Sequence, residues 1–317
     1  MDYRLLGRTG LRISSIGLGS WLTYGSSVED ATAVACVHSA FEAGINFFDT
    51  ADVYAGGSAE MLLGRAIKDL PRQQIVVATK CHFRMWPGPL GRGLSRKHIV
   101  ESVEGSLGRL GLSYIDMLQT HYPDKDTPVD ETLRAMDDLR RQGKILVAAC
   151  SNCYAHQLAE ANAAADRLGI TRFDSLQPEY SMLFRHVELH ELPFCARHQI
   201  GVVCYSPLAE GVLTGKYRSA GKGPAGTRMA QRKSPHLTRQ NLARVAKLAP
   251  IAKRKRCTLA QLALAWVLRR PEVTCAITGA SRPEQIAENV KAADVTLNEK
   301  DLEQIEAALG NAPVKPW

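Results

Sequence analysis

Eight short apolar runs rich in β-branched residues, separated by helix-like segments, constrain this 317-residue chain more than any other feature. They lie near residues 15–18, 46–49, 75–80, 114–119, 145–151, 175–177, 201–205 and 274–278. Strands that alternate with helices build a parallel sheet, because a parallel neighbour is reached only through a crossover. Eight such repeats over roughly 250 residues match a closed (β/α)8 barrel better than an open doubly wound sheet. Three intervening helices have legible ends: 28–43 stops at Gly44, 95–110 at Gly111 and 129–142 at Gly143. Glycine supplies the left-handed turn that returns the chain to the next strand. Residues 3–16, with Thr9-Gly10 at their centre, read as a hairpin before the first barrel strand, residues 219–238 as a polar loop, and 299–309 as an extra closing helix. The expected fold is thus a single α/β domain over residues 1–317, a (β/α)8 TIM barrel with an N-terminal β-hairpin and C-terminal extra helices.

With 45% hydrophobic and 23% charged residues the chain can bury a sizeable core, which argues against a disordered or fibrous protein. The opening Met1-Asp2-Tyr3-Arg4 lacks the pattern of a signal peptide, and no run of about 18 uncharged apolar residues predicts membrane insertion, so a cytoplasmic location is expected. The eight cysteines fall mostly inside apolar runs and read as reduced thiols. Cys150-Ser-Asn-Cys153 has the form of a redox motif, but Cys150 ends a strand-like run and a structural role is favoured. His186 and His190 stand at i and i+4 of a helix-like stretch with no third ligand signposted, so an exposed helix face is favoured over zinc and no metal is expected.

The net charge of +8 is unevenly placed. No acidic residue occurs between Glu210 and Glu272, whereas fifteen Lys and Arg do; the rest of the chain holds 25 basic residues (40 minus 15) against 32 acidic. A confined positive field suits an anionic ligand such as a phosphate-bearing cofactor. Nucleic acid is the rival partner, but no zinc-finger, basic-zipper or RNP signature supports it. Residues 253–256 read simply as a solvated basic helix. The GxGxxG at Gly221, Gly223 and Gly226 lies in a polar loop well beyond a late strand and fails the context of a dinucleotide fingerprint.

Polar residues at the C-terminal ends of barrel strands converge on one mouth. Here those ends carry Asp49, Lys80, His121 just beyond Gln119, and Ser151-Asn152, with Tyr54 five residues after Asp49. A carbonyl accepts hydride only if its developing oxyanion meets a proton or a cation, and a phenol of pKa about 10 is normally too weak an acid. A lysine beside the phenol lowers that pKa, and an aspartate keeps the lysine charged. The set therefore reads as a carbonyl-reducing site in which Tyr54 donates, Lys80 tunes, Asp49 anchors and His121 orients the substrate oxygen or assists proton transfer.

These residues lie in motifs that resemble the aldo-keto reductase superfamily, in particular its branch of voltage-gated potassium channel β subunits and related bacterial and plant reductases. The motifs are Tyr3-Arg-Leu-Leu-Gly-Arg-Thr-Gly-Leu11, Gly44-Ile-Asn-Phe-Phe-Asp-Thr-Ala-Asp-Val-Tyr54, Gly93-Leu-Ser-Arg-Lys-His-Ile99, Tyr205-Ser-Pro-Leu208 and Gly279-Ala-Ser-Arg-Pro-Glu-Gln-Ile-Ala-Glu-Asn289. The resemblance implies a tetrad at Asp49, Tyr54, Lys80 and His121 and an NADPH/NADP+ cofactor lying across the barrel mouth without a Rossmann unit. It implies that Ser20, Trp21 and Asp49 border the cofactor, that Ser151, Asn152 and Gln177 hold its carboxamide, and that Tyr205 stacks on the nicotinamide. Ser206, Pro207, Leu208, Ala209 and Glu210, with Lys216 and Arg228, would wrap the pyrophosphate side. Gly279, Ser281, Arg282, Gln285, Glu288 and Asn289 would meet the adenosine end. Arg282, opening the last barrel helix, suits the 2′-phosphate that distinguishes NADPH from NADH.

Channel-associated members often carry asparagine where His121 stands, so His121 tilts the reading toward turnover. The family also frequently has proline at the position of Thr278 and Gly-Val at that of Ala149-Cys150, small changes that leave the strand ends in place. Two functions follow: reduction of small aldehydes or dicarbonyls in a pocket lined by Trp21, Tyr54, Trp86 and His121, or a regulatory NADPH-binding subunit with little turnover. A Schiff-base aldolase using Lys80 would leave Tyr205 and residues 279–289 unexplained. The resemblance also implies a homo-oligomer, a tetramer or larger ring.

Overall fold

The structure, a computed structural model, describes residues 1–25, 28–221, 223 and 233–313. Its first two strands, β1 (Tyr3–Leu5) and β2 (Arg12–Ser14), pair antiparallel as the expected hairpin. Eight further strands follow: β3 (Ile16–Gly19), β4 (Phe47–Asp49), β5 (Val76–Cys81), β6 (Ile115–Thr120), β7 (Ile145–Ser151), β8 (Ser175–Gln177), β9 (Gly201–Cys204) and β10 (Val273–Thr278). They close a barrel in the order β10-β3-β4-β5-β6-β7-β8-β9, every pairing parallel. Each lies within about two residues of its expected position, as the boundary blurring of frayed element ends allows.

The helices are α1 (Asp30–Glu42), α2 (Ser58–Ile67), α3 (Arg96–Leu110), α4 (Val129–Arg141), α5 (Ala155–Leu168), α6 (Glu191–Arg197), α7 (Arg239–Arg254), α8 (Leu259–Leu268), α9 (Pro283–Val290) and α10 (Glu299–Leu309). Ser95 caps α3 by accepting from the His98 N–H, and the helix stops where Gly111 turns to φ +65°. The closing helix α10 has the expected bounds; Asn298 and Asp301 cap it reciprocally.

Strand alternation splits the apolar residues into two cores. Phe48, Val77, Leu118, Ala148, Leu176 and Val202 face outward into the helix layer. Phe47, Ala78, Met117, Ala149, Val203 and Ile277 fill the barrel interior, joined by Leu6 and Ile13 of the hairpin segment, which plugs one end. On β3 the space left inside is so small that a Cβ on Gly19 would lie 2.6 Å from Ile277. The barrel is a packed core below its mouth, which leaves the C-terminal strand ends as the part of its interior open to a ligand.

Two sequence expectations are corrected. His186 begins a 3-10 turn (His186–Glu188) and His190 precedes α6, so the two imidazoles do not share an α-helical face; both are nevertheless exposed. The basic run 253–256 is not merely solvated: Arg254 and Lys255 donate to Asp301 of α10 at 3.0 and 2.9 Å, fastening the closing helix to α7. Of the GxGxxG, Gly226 lies outside the described residues, as does Arg228. All eight cysteines are free. Burial and then Cys153 raise the Cys150 thiol well above its ordinary value, which fits an inert structural pair.

Candidate active site

The alternation that sends Phe47, Ala78 and Met117 inward also sends Asp49, Lys80 and Gln119 inward one step higher, at the barrel mouth. Lys80 is 1% exposed, and its Nζ lies 2.6 Å from Asp49 Oδ1, 2.8 Å from the Thr50 carbonyl and 3.4 Å from the Tyr54 hydroxyl. Asp49 Oδ2 accepts from Gln119 at 3.1 Å and Gln177 at 2.8 Å. The His121 ring stands edge-on to the Tyr54 ring with centroids 5.6 Å apart. The structure thus brings together all four residues of the expected tetrad.

Burial works against the Lys80 ammonium, yet Asp49 and Tyr54 outweigh it and hold its pKa above the ordinary lysine value. Burial also raises the Tyr54 phenol, and Lys80 recovers only part of that shift. The lowering expected from sequence is therefore reversed here, because desolvation exceeds the lysine's attraction. The phenol keeps its proton near neutral pH. Burial, with Lys80 and His82, pushes the His121 imidazole down to about 2, so it is neutral and serves as a hydrogen-bonding group.

Around this centre, Ser151 donates to the Gln177 carbonyl at 2.8 Å, and Asn152 donates to the His121 carbonyl and Ser151 Oγ, both at 3.0 Å. Asn152 has φ +58°, a left-handed conformation that these bonds and the Tyr205 hydroxyl, 2.8 Å from its Oδ1, hold in place. Ser20 donates to Thr50 Oγ1 at 2.9 Å, and Trp21 follows it, half-buried, at the end of β3. Beyond Tyr205, positive φ at Ser206, Ala209, Glu210 and Gly211 curls residues 206–211 into a tight loop past Pro207 and Leu208, with Lys216 exposed after it. Such curled backbone and adjoining cations suit a phosphate.

The third part of the mouth follows β10, which neighbours both β9 and β3. Gly279 is exposed, Ser281 donates through N and Oγ to Gln285 Oε1 at 2.8 and 3.2 Å, and Arg282 is the N-cap residue of α9. Its side chain is 61% exposed and 3.8 Å from Glu284, open enough to meet an anion. Glu288 is exposed and Asn289 buried. Among the described residues no His, Cys, Asp and Glu cluster could hold a metal ion.

Sequence reasoning missed several participants. Gln119 was legible from its place between inward Met117 and His121. Phe83 lies 4.9 Å from His121 and 5.6 Å from Tyr122 by ring centroids, forming an aromatic rim, whereas Trp86 packs 4.7 Å from His98. Glu179, beside Tyr205, bonds His236 at 2.7 Å and ties the returning end of the long loop to the mouth. None of these pairings has a local signal.

The model of the Aldo/keto reductase family matches residues 15–309. A "Probable voltage-gated potassium channel subunit beta" of Arabidopsis thaliana is 43% identical over 326 residues, covering 100% of this chain and 99% of the relative. One with the same description from Oryza sativa subsp. japonica is 42% identical over 323 residues, covering 99% and 98%. The match spans the barrel strands, the mouth and the Asp49–Lys80–Tyr54–His121 cluster together, and so the chain belongs to the aldo/keto reductase family.

Proposed function

We propose that this protein is an NADPH-dependent reductase of small aldehydes, ketones or dicarbonyls. The observation that carries the reading is the buried Lys80 ammonium, bonded to Asp49 and within 3.4 Å of the Tyr54 hydroxyl, beside a neutral His121. When bound, NADPH supplies the hydride. His121 donates a hydrogen bond to the carbonyl oxygen and aims it at Tyr54. Tyr54 gives its phenolic proton to that oxygen as negative charge builds, and the Lys80 ammonium stabilises the phenolate left behind. Asp49 keeps Lys80 charged and, through Gln119 and Gln177, fixed. Hydride plus proton convert the carbonyl to an alcohol, and Tyr54 recovers its proton from water.

The donor set fits the cofactor. Ser151, Asn152 and Gln177 would hold its carboxamide, Tyr205 its ring, residues 206–210, Lys216 and Arg228 its phosphates, and Ser281, Arg282, Gln285, Glu288 and Asn289 its adenosine end. The substrate is a small carbonyl compound within the Phe83 and Tyr122 rim, near Trp21; neither nucleic acid nor membrane insertion enters the reading, although a homo-oligomer does. No described helix is long and apolar enough to cross a membrane.

A second reading is favoured by the potassium-channel names of the relatives: a regulatory subunit that binds NADPH with little turnover. The deciding experiment follows NADPH absorbance with a panel of aldehydes and dicarbonyls for wild type and Tyr54→Phe. Turnover lost in the variant, with NADPH still bound, supports the reductase; no turnover in either, with tight NADPH binding, supports the regulatory subunit.

A further inference from the structure

Behind the site, against the outer face of β5, lies a cluster of buried polar groups that the chemistry above leaves unused. Asp52 and Glu60 are both 0% exposed. Glu60 is satisfied at both oxygens: Thr79 Oγ1 donates to Oε1 at 2.5 Å, and Arg109 Nε of α3 donates to Oε2 at 2.7 Å. Neither oxygen of Asp52 meets a hydrogen-bond donor at full bonding geometry; the Val53 N–H, Arg109 and Lys80 favour its charged form, but less than burial and Glu60 oppose it.

The charged and titratable groups facing Asp52 are Glu60 on α2, Arg109 on α3, and Lys80 and Cys81 on β5. The two cations are already committed, Lys80 to Asp49 and Arg109 to Glu60. Three carboxyl groups thus share two cations, and the one without a donor is Asp52. A bare carboxylate in that position would be desolvated and repelled by Glu60, so the favourable form is the neutral acid. Burial first, and Glu60 second, push its carboxyl up to about 8.

Asp52 also sits where a change of charge would reach Tyr54. Its N–H donates to the Lys80 carbonyl at 3.1 Å, and the Tyr54 N–H donates to the Ala51 carbonyl at 3.2 Å. After Tyr54 the chain turns through three left-handed residues, Ala55, Gly56 and Gly57. The last lies so close to Arg109 that a Cβ there would be 2.8 Å from its Cδ. Asp52 and Arg109 therefore bracket the turn that presents Tyr54.

We propose that Asp52 is a positioning residue acting as a neutral carboxylic acid: while it is uncharged the Tyr54 turn stays seated on β5 and Arg109, and its ionisation loosens that turn and draws Tyr54 away from Lys80. The proposal rests on the reading of Tyr54 as the proton donor. It concerns the alkaline side of the working range, where a third buried negative charge has no cation to meet.

The test compares wild type, Asp52→Asn and Glu60→Gln by NADPH-dependent turnover and by thermal melting across pH. Either substitution leaves two carboxylates for two cations. A single proton leaving near pH 8 predicts about a tenfold fall in wild-type turnover between pH 7 and 9, with KM for NADPH unchanged; Asp52→Asn should lack it and Glu60→Gln should move it to lower pH. In melting, a raised carboxyl pKa costs stability progressively from about pH 4, where the unfolded side chain ionises, to about pH 8, so Asp52→Asn should gain on wild type through that window and run parallel above it. Should Asp52→Asn fail to fold, the acid-ward shift of the fall in Glu60→Gln carries the prediction. A wild-type alkaline fall retained in Asp52→Asn or unshifted in Glu60→Gln, or melting differences between wild type and Asp52→Asn that do not vary with pH, would overturn the proposal. Absence of turnover on any carbonyl would instead count against Tyr54 as the acid, and the melting comparison would still decide whether Asp52 holds a proton.

Discussion

Gln177 donates its side-chain amide to Asp49 at 2.8 Å across 128 residues of sequence. The same Nε2 lies 3.1 Å from Gln119 Oε1, and Gln119 donates in turn to Asp49. The aspartate that anchors Lys80 is therefore held by two amides from β6 and β8, and this buried network spans the mouth from one side to the other. In a site of low dielectric such a network is rigid only while every member is satisfied.

Gln119→Ala and Gln177→Ala should each reduce turnover by loosening Asp49 and destabilise the fold by about 1–3 kcal/mol, as expected for a buried group left without its partner. If Gln177 also holds the cofactor carboxamide, its variant alone should lose NADPH affinity, read by fluorescence titration. Equal NADPH affinity in both variants would reduce Gln177 to an anchor of Asp49.

Asp49→Asn should be more severe. It leaves the Lys80 ammonium buried beside a neutral amide, a change that costs about 3–5 kcal/mol when one partner of a buried pair is removed. Denaturant unfolding measures the loss. A variant as stable as wild type would mean that Lys80 discards its charge easily, contrary to the raised pKa.

His121 is neutral in the folded chain, whereas an unfolded histidine takes up a proton below about pH 6.5. Its depressed pKa therefore gives stability that is full above that value and lost as pH falls toward about 2. His121→Asn should melt less steeply with acid than wild type. The pH–rate profile of wild type should show no histidine step between about pH 5 and 8, the range in which an unperturbed imidazole titrates.

Arg282→Ala should weaken NADPH binding by about tenfold, equivalent to roughly 1.4 kcal/mol, and leave NADH binding unchanged. Titration of both nucleotides checks it. An unaltered preference would remove the 2′-phosphate from the role given to this exposed N-cap residue.

Asp301 joins α10 to Arg254, the last residue of α7, and to Lys255 just beyond it, and also caps its own helix. Hydrogen bonds from Lys255 and Arg254, against a smaller cost of burial, pull its carboxyl down to about 2. Asp301→Ala should destabilise the protein by about 1–2 kcal/mol at neutral pH, from a lost cap and a partly exposed ion-pair network. Since a depressed carboxyl pKa contributes stability only above its unfolded value, the difference should shrink as pH falls from about 4 to 2, which thermal melts across that range would reveal.

The sequence by itself determined the strand-and-helix order, the hairpin and which four residues, Asp49, Tyr54, Lys80 and His121, gather at the mouth. Strand alternation is local, so the inward parity that places Phe47 in the core also places Asp49 at the mouth, and Lys80 follows from Ala78 in the same way. Capping residues and glycines are equally local, and they ended α3 at Gly111. Tertiary structure alone decided which groups meet once the barrel closes: Gln177 with Asp49, Phe83 with His121, Arg109 with Glu60, Lys255 with Asp301. It also decided the direction of the Tyr54 pKa, because the attraction of a neighbouring lysine can be anticipated from spacing, but the desolvation that outweighs it exists only after the surrounding chain has excluded water.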